Sequence, residues 1–375
     1  MNKLLRIFCV IAVPCIARAA PEHSTPDYQQ RNVVLVTFDG VRPQEIFGGL
    51  DVDSLDTLPA KDKASDEVAN LYKRFGAPTR EERRAKIMPF FWGTLMKQHG
   101  WIAGDPALGS HVEVTNKFTS SYPGYAEMLT GRAQDDVIIH NVHLRNPHAT
   151  VLEFVKRELN LPPAKVATFA SWDLHNLIVE HSPGTTFVNA GFAPYLNSDQ
   201  PDSDPLMQQL NALQTEVKPS DDERFDAFTA RFAFRYLQQA QPRLLYVMFN
   251  ETDEDAHEGH YDRVLDALTR YDKFLEKLWT WLQSQPQYRG NTTLIVTTDH
   301  GRGDTIKDWT SHGDIPAAKN IWIAIASPDD SRRGELSGGK TLYQKQIAAT
   351  IAAAFGLDYA EQDPEAGKPI PLHGD

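Results

Sequence analysis

The chain has 375 residues, 41% of them hydrophobic, and a formal net charge of −12. Its size supports one large α/β domain with insertions, or one plus a small cap. The acid excess argues against nonspecific binding to nucleic acid polymers, though not against a small anionic substrate drawn in by a local metal charge. No stretch of about twenty apolar residues is present to span a membrane.

Met1 to Ala19 has the pattern of a secretory signal. Lys3 and Arg6 precede a short apolar run from Ile7 to Ala17, and Ala17-Arg18-Ala19 offers a small-x-small cleavage site. A periplasmic or secreted mature chain is expected. Cys15 follows Ala12-Val13-Pro14 and raises the rival of a lipoprotein, but proline is a poor residue before a lipidated cysteine. Cys9 and Cys15 are the only cysteines, so stability after processing must come from core burial and bound metal rather than disulfides. Loss of Lys3, Arg6 and Arg18 takes the net charge from −12 to about −15.

Residues 20–30 are polar with two prolines and are expected to form a linker, followed by a catalytic domain over 31–360 and a tail over 361–375. Asn32 to Phe38 is a nearly continuous β-branched run, the pattern of a strand buried on both faces. It ends on Asp39-Gly40. Residues 43–86 are charged and predicted to be an irregular surface insertion. A helix is expected near Phe90–His99 and a short strand at His111–Val114. In Thr115 to Arg132, hydroxyls cluster before Pro123, which suits the first turn of a helix, and Gly131 suits its end. Such hydroxyls either cap the helix or present chemistry at its positive end.

Residues 172–240 are expected to form a second insertion, a cap beside the site. Leu244 to Asn250 is another buried-type strand, and the following Asp253 and His257 are expected in a strand-to-helix loop. Apolar residues then recur with helical spacing from about Asp262 to Gln283. Thr293 to Thr298 is a strand that stops on Asp299-His300-Gly301. A carboxylate and an imidazole at a strand's carboxyl end supply an oxygen and a nitrogen to a divalent cation. His312-Gly313, a strand over Ile321–Ala326 and a helix over 344–355 closed by Gly356 complete the pattern. These elements predict a three-layer α/β sandwich with a central, mostly parallel sheet and helices on both faces.

In order and local context, Asp39, Ser121, Asp253, His257, Asp299, His300 and His312 resemble the metal and nucleophile positions of the alkaline phosphatase superfamily. The resemblance is nearest to its nucleotide pyrophosphatase/phosphodiesterase branch, with sulfatase-like features, and runs from Asn32 to about Gly356. It implies two divalent metal ions. Asp39, Asp299, His300 and the Ser121 hydroxyl would hold one, and Asp253, His257 and His312 the other. Mixed oxygen and nitrogen donors favour Zn2+, with Mn2+ as the alternative. Ser121 would attack phosphorus and form a covalent phosphoseryl intermediate, with the cations clamping the attacking and leaving oxygens. Ser120 and Thr119 are alternates, but Ser121 alone has the Tyr-Pro step in register. The resemblance also places Asn141 as donor to a phosphate oxygen, with the backbone NH of Ser121 or Tyr122 as a second donor. It assigns no role to His140, Asp255 or His260.

The departures narrow the reaction. Sulfatases carry Cys-or-Ser-x-Pro-x-Arg, whereas Ser121-Tyr122-Pro123-Gly124-Tyr125 has tyrosine in the arginine position, which puts formylglycine maturation in doubt. Some monoesterases of the superfamily add a Lys-x-Arg pair, and the comparable stretch here, Ala170 to Leu174, has neither residue. The expected activity is therefore that of a phosphodiesterase or nucleotide pyrophosphatase acting on a small anionic phosphoester. A phosphomonoesterase, a phosphoryl transferase and a sulfatase-like hydrolase are the alternatives, and Lys117, Arg132 and Arg302 are the cations able to serve a dianionic group by folding inward.

Overall fold

The computed structural model describes residues 28–55, 65–195 and 204–373. The 1–19 signal segment with both cysteines, most of the 20–30 linker and parts of both insertions lie outside the described residues.

From the amino end, the chain forms β1 (Asn32–Phe38), α1 (Pro43–Gly48), α2 (Val52–Leu55), α3 (Ser65–Phe75), α4 (Arg80–Ile87), a π-helical segment (Phe91–His99), β2 (Gly100–Ala103) and β3 (Val112–Glu113). Next come α5 (Ser121–Thr130), α6 (Val151–Glu158), β4 (Val166–Ala170), α7 (His175–Ile178), β5 (Phe187–Ala190), α8 (Pro205–Glu216), α9 (Asp226–Ala240) and β6 (Leu244–Phe249). The remainder is α10 (Glu251–His257), α11 (Tyr261–Ser284), β7 (Thr292–Thr297), β8 (Asn320–Ile321), β9 (Ile323–Ala326), β10 (Gly334–Glu335), β11 (Leu342–Tyr343) and α12 (Gln346–Ala354).

Eight strands form one sheet in the order β10-β2-β9-β7-β1-β6-β4-β5, and β11-β3-β8 form a small second sheet. In the large sheet β1 lies between β6 and β7, parallel to both. It is buried on both faces, as its sequence predicts: Val34, Val36 and Phe38 join one core and Val33 and Leu35 the other. The first core packs the sheet against α9 and α11, and the second packs it against α5, α6 and α12. Helix α11 buries Val264, Leu265, Leu268, Tyr271, Leu275 and Leu278 at the spacing read from the sequence. The expected three-layer sandwich is present, with β9 antiparallel to β7 and β2.

Three elements differ from the sequence reading. The 43–86 stretch, expected to be irregular, is largely helical where it is described; Leu71 and Phe75 enter the core, and Thr79 and Glu82 form a capping box on α4. The 172–240 segment is not only a cap, because β5 extends the sheet and α9 packs on it. The strand expected at 321–326 divides at Trp322: Ile321 joins Asn320 as β8 in the small sheet, and Ile323–Ala326 pair in the large one.

Candidate active site

The carboxyl ends of β1, β6 and β7 lie side by side, and each delivers part of one cluster. Asp39 follows β1 and is buried; its Oδ2 accepts from Tyr125 Oη at 2.9 Å and its carbonyl from Thr252 Oγ1 at 2.6 Å. Asp299 follows β7, and its Oδ1 accepts from Gly40 N at 3.1 Å. After β6 the chain turns at once into α10, so Asp253 and His257 stand on a helix rather than in the expected loop. Their four-residue spacing places them on one face, with Asp253 Oδ2 3.0 Å from His257 Nε2. Buried Asp226 fixes the start of that helix by accepting from the backbone NH groups of Asn250 and Glu251. Gly40 is required twice over: its φ is +63°, and a Cβ there would lie 2.8 Å from Asp253 Cγ.

The two remaining imidazoles are held by backbone carbonyls. His300 Nδ1 donates to Gly301 O at 2.8 Å and His312 Nδ1 to Thr119 O at 2.8 Å, so each Nε2 presents its lone pair to the cluster. Their rings stack with centroids 4.0 Å apart. Thr119 has φ +37°, a costly backbone for a β-branched residue, and its hydroxyl donates to His312 O at 3.0 Å. This strained turn aims a carbonyl at the imidazole.

Among the three candidate hydroxyls, Ser120 Oγ is engaged by Phe118 O and Thr119 Oγ1 by His312 O, whereas Ser121 Oγ lies 3.3 Å from His300 Nε2. Ser121 is the first residue of α5, and neither it nor Ser120 caps the helix with its side chain. The cap comes from Asn141, whose Oδ1 accepts from Tyr122 N at 2.9 Å. That bond corrects the expectation of a free Tyr122 NH as an anion donor, because the group is already used. It also orients Asn141, since only the amide oxygen can accept, and leaves the Asn141 NH2 to face a ligand.

Two groups of ligand atoms converge within 4.8 Å: Asp253 with His257 and His312, and Asp39 with Asp253 and His300. The first is the set expected from the sequence. In the second, Asp253 stands where Asp299 was expected, although Asp299 Oδ2 is 3.3 Å from His300 Nε2. These residues fit divalent cations. Asp39 Oδ1, Asp253 Oδ1 and Asp299 Oδ2 are buried without a hydrogen-bond partner, and of the three only Asp253 Oδ1 has an arginine within reach, Arg302 at 3.5 Å; such burial is costly for an ionised carboxylate unless a cation is bound. His257 Nε2 and His312 Nε2 face one another at 3.1 Å, which calls for an electrophile between them.

The acids register the same crowding. Burial, reinforced by Asp253, pushes Asp299 up to about 7. Burial and then Asp299 and Asp253 raise Asp39 well above the usual carboxylate range. Asp253 is held well below it, because His312 and then His257 outweigh its burial. His257 is raised by its bond to Asp253, while burial lowers His312.

The cluster opens into a cavity of about 290 Å³ whose wall includes Ser121, Asn141, Trp172, Glu223 and Glu254. No lysine or arginine lines it among the described residues. Arg302 does turn inward, but behind the ligands: it is buried, bonded to Trp309 O and Thr252 O, and 3.5 Å from Asp253 Oδ1. Arg132 pairs with Asp363 and Glu365. The acidic wall from Asp222, Glu223 and Glu254 was not foreseen, since local sequence carries no signal for which loop of 172–240 reaches the site.

The chain matches the family model described as type I phosphodiesterase / nucleotide pyrophosphatase over residues 107–345. A curated 2,3-bisphosphoglycerate-independent phosphoglycerate mutase from Gracilaria tenuistipitata var. liui is 25% identical over 180 residues, which cover 46% of this chain and 32% of that protein. The chain thus spans about a third of the length of that relative. Among solved structures, alkaline phosphatase PafA superposes with a TM-score of 0.58 at 10% identity, covering 93% of this chain and 99% of that one. A protein in the alkaline phosphatase superfamily from Vibrio parahaemolyticus gives 0.52 at 14% identity, covering 91% and 70%. Both likenesses establish the fold.

Proposed function

The chain belongs to the type I phosphodiesterase / nucleotide pyrophosphatase family of the alkaline phosphatase superfamily, and we propose that it hydrolyses phosphodiester or pyrophosphate-type linkages with Ser121 as nucleophile. Asp253, His257 and His312 would hold one divalent cation, and Asp39 and His300 a second, with Asp253 shared between the two groups and Asp299 beside His300; nitrogen and oxygen donors suit zinc. When bound, such cations supply the positive charge that an anionic phosphoryl transition state needs and acidify a hydroxyl beside them.

The chain's own groups define the rest. The Ser121 hydroxyl loses its proton to solvent and its Oγ, at the positive end of α5, bonds to phosphorus as the bond to the leaving oxygen breaks, that oxygen taking up a proton from water. Water then cleaves the phosphoserine, releasing the phosphoryl product and restoring the hydroxyl. The Asn141 NH2, aimed by the bond from Tyr122 N, donates to a non-bridging phosphate oxygen. Tyr125 and Thr252 hold Asp39 in place, and the Gly301 and Thr119 carbonyls hold the imidazole tautomers.

One observation carries the preference for diesters: the wall offers a neutral amide and no cationic side chain among the described residues. A diester presents one negative charge on the transferred group, and a monoester dianion two, which calls for added cations. The test compares kcat/KM for an aryl diester, monoester and sulfate sharing one leaving group. We expect the diester to lead by at least about tenfold, the worth of roughly one hydrogen bond to a charged group; a faster monoester overturns the preference.

Export to the periplasm or the exterior is proposed on Lys3, Arg6 and Ala17-Arg18-Ala19. Among the described residues no helix is long and apolar enough to cross a membrane. The amino terminus of the exported protein, read by sequencing, checks this: it should begin after Ala19.

A further inference from the structure

The cavity wall contains a group the proposed mechanism does not use. Glu223 is 8% exposed and lines the cavity of Ser121 and Asn141. Its backbone NH donates to Ser220 Oγ at 3.1 Å, and among the described residues its carboxylate has no hydrogen-bond or ion-pair partner. Glu254 lies beside it on the same wall, and burial followed by Glu254 and Asp222 raises Glu223 above the usual carboxylate range. The Glu223 carboxyl is therefore open to a ligand in the cavity.

Trp172 completes the wall. Its indole NH donates to Asp222 Oδ2 at 3.3 Å, and Ser220 Oγ reaches Asp222 Oδ1 at 2.9 Å, so Asp222 is committed to holding the ring and Glu223 is not. An indole beside two acids that crowd one another forms surroundings in which a diffuse organic cation is favoured, because it relieves the repulsion between Glu223 and Glu254 as it meets the ring. They do not form a metal site, since among the described residues the convergent ligand groups are the two described above and neither contains Glu223 or Glu254. The same wall repels further phosphates, which argues against a polyanionic ester group at this position.

There is room for such a group. Glu223, Asn250 and Glu254 are shared with an adjoining cavity of about 420 Å³, where Arg263 and Arg270 are already paired with Glu258 and Glu251. We propose that one ester group of the substrate carries an organic ammonium that docks between Glu223, Glu254 and Trp172, which makes the substrate a zwitterionic phosphodiester. This rests on the reading of the site as a phosphodiesterase and specifies its substrate class.

Binding to the metal-loaded Ser121→Ala protein tests it, by titration calorimetry with 2-(trimethylammonio)ethyl methyl phosphate and its uncharged isostere 3,3-dimethylbutyl methyl phosphate. Either ligand is free to seat in both orientations, and no turnover is needed. The ammonium ester should bind roughly tenfold more tightly, in the range of a desolvated cation–π contact joined by a carboxylate. Glu223→Gln should bring that ratio close to one, and Glu254→Gln, at an exposed position, should reduce it in part. Equal affinities in the Ser121→Ala protein, or a ratio that survives both substitutions, overturns the proposal. Failure of the phosphodiesterase reading shows separately, as absence of turnover of bis(4-nitrophenyl) phosphate by the unsubstituted protein.

Discussion

Gly40→Ala is a demanding test of the site, because one methyl group acts there in two separable ways. The residue sits at φ +63°, where an L side chain costs about 1–2 kcal/mol. The added Cβ also lies 2.8 Å from Cγ and 3.0 Å from Cβ of Asp253, and closer still to Oδ1. Carbon atoms rest about 3.5–4.0 Å apart, so the carboxylate must retreat by roughly 1 Å. Ligand distances tolerate about 0.2 Å, so metal affinity should fall at least about 10–100-fold at the group containing His257 and His312, and turnover with it. Gly184→Ala is the control: φ is +77° and nothing lies within 4 Å of its Cβ, so it carries the backbone cost alone. The assay pairs calorimetric melting with metal content after dialysis against a graded chelator. Both variants should melt a few degrees lower in the metal-free state. Gly40→Ala alone should lose metal at a lower chelator concentration, against about two ions per unsubstituted chain. If it keeps metal as tightly as Gly184→Ala does, the packing of Asp253 on Gly40 does not set the site's geometry.

Ser121→Ala should lower kcat by at least about a thousandfold with metal content retained, since the nucleophile goes while most of the cage stays; loss of activity in Ser120→Ala or Thr119→Ala but not in Ser121→Ala would reassign the nucleophile. Burial lowers His175 to about 3 from its ordinary 6.5. The unfolded chain then binds the extra proton first, so stability is present above about pH 6.5 and falls as pH drops toward 3; His175→Phe should flatten that acid limb in urea melts, and an unchanged slope would refute the assignment. Leu35→Ala, in the fully buried middle of β1, should cost about 2–5 kcal/mol, read as a lower urea midpoint at constant slope.

What the sequence discloses best is chemistry tied to regular backbone. Asp39 and Asp299 are legible because each terminates an apolar run, and a strand that is buried on both faces leaves its next residue at the sheet edge. Asp253 and His257 are legible as a pair for their spacing, yet the helix that carries them is missed, because six of its seven residues are charged or polar and look like loop. Its nucleus is set by Asp226, far away in sequence. The left-handed turn at Thr119 leaves no trace in composition, since threonine disfavours it and only the carbonyl bond to His312 explains it. Nor is the Glu223 wall visible, because the loop that bears it is placed by tertiary packing: Arg224 is buried and reaches Asn189 and Thr229.

The central position of β1 also governs how the protein reaches its native state. Val34 pairs with Leu245 on one side and Leu294 on the other, so the strand's neighbours come from the far end of the chain. Closing such long loops carries an entropy cost that is met only when both pairings form, which makes the sheet's middle a slow, high-contact-order event. No local fragment contains both halves of either ligand group. Metal capture therefore waits for the last long-range step, and free metal should slow unfolding far more than it speeds folding.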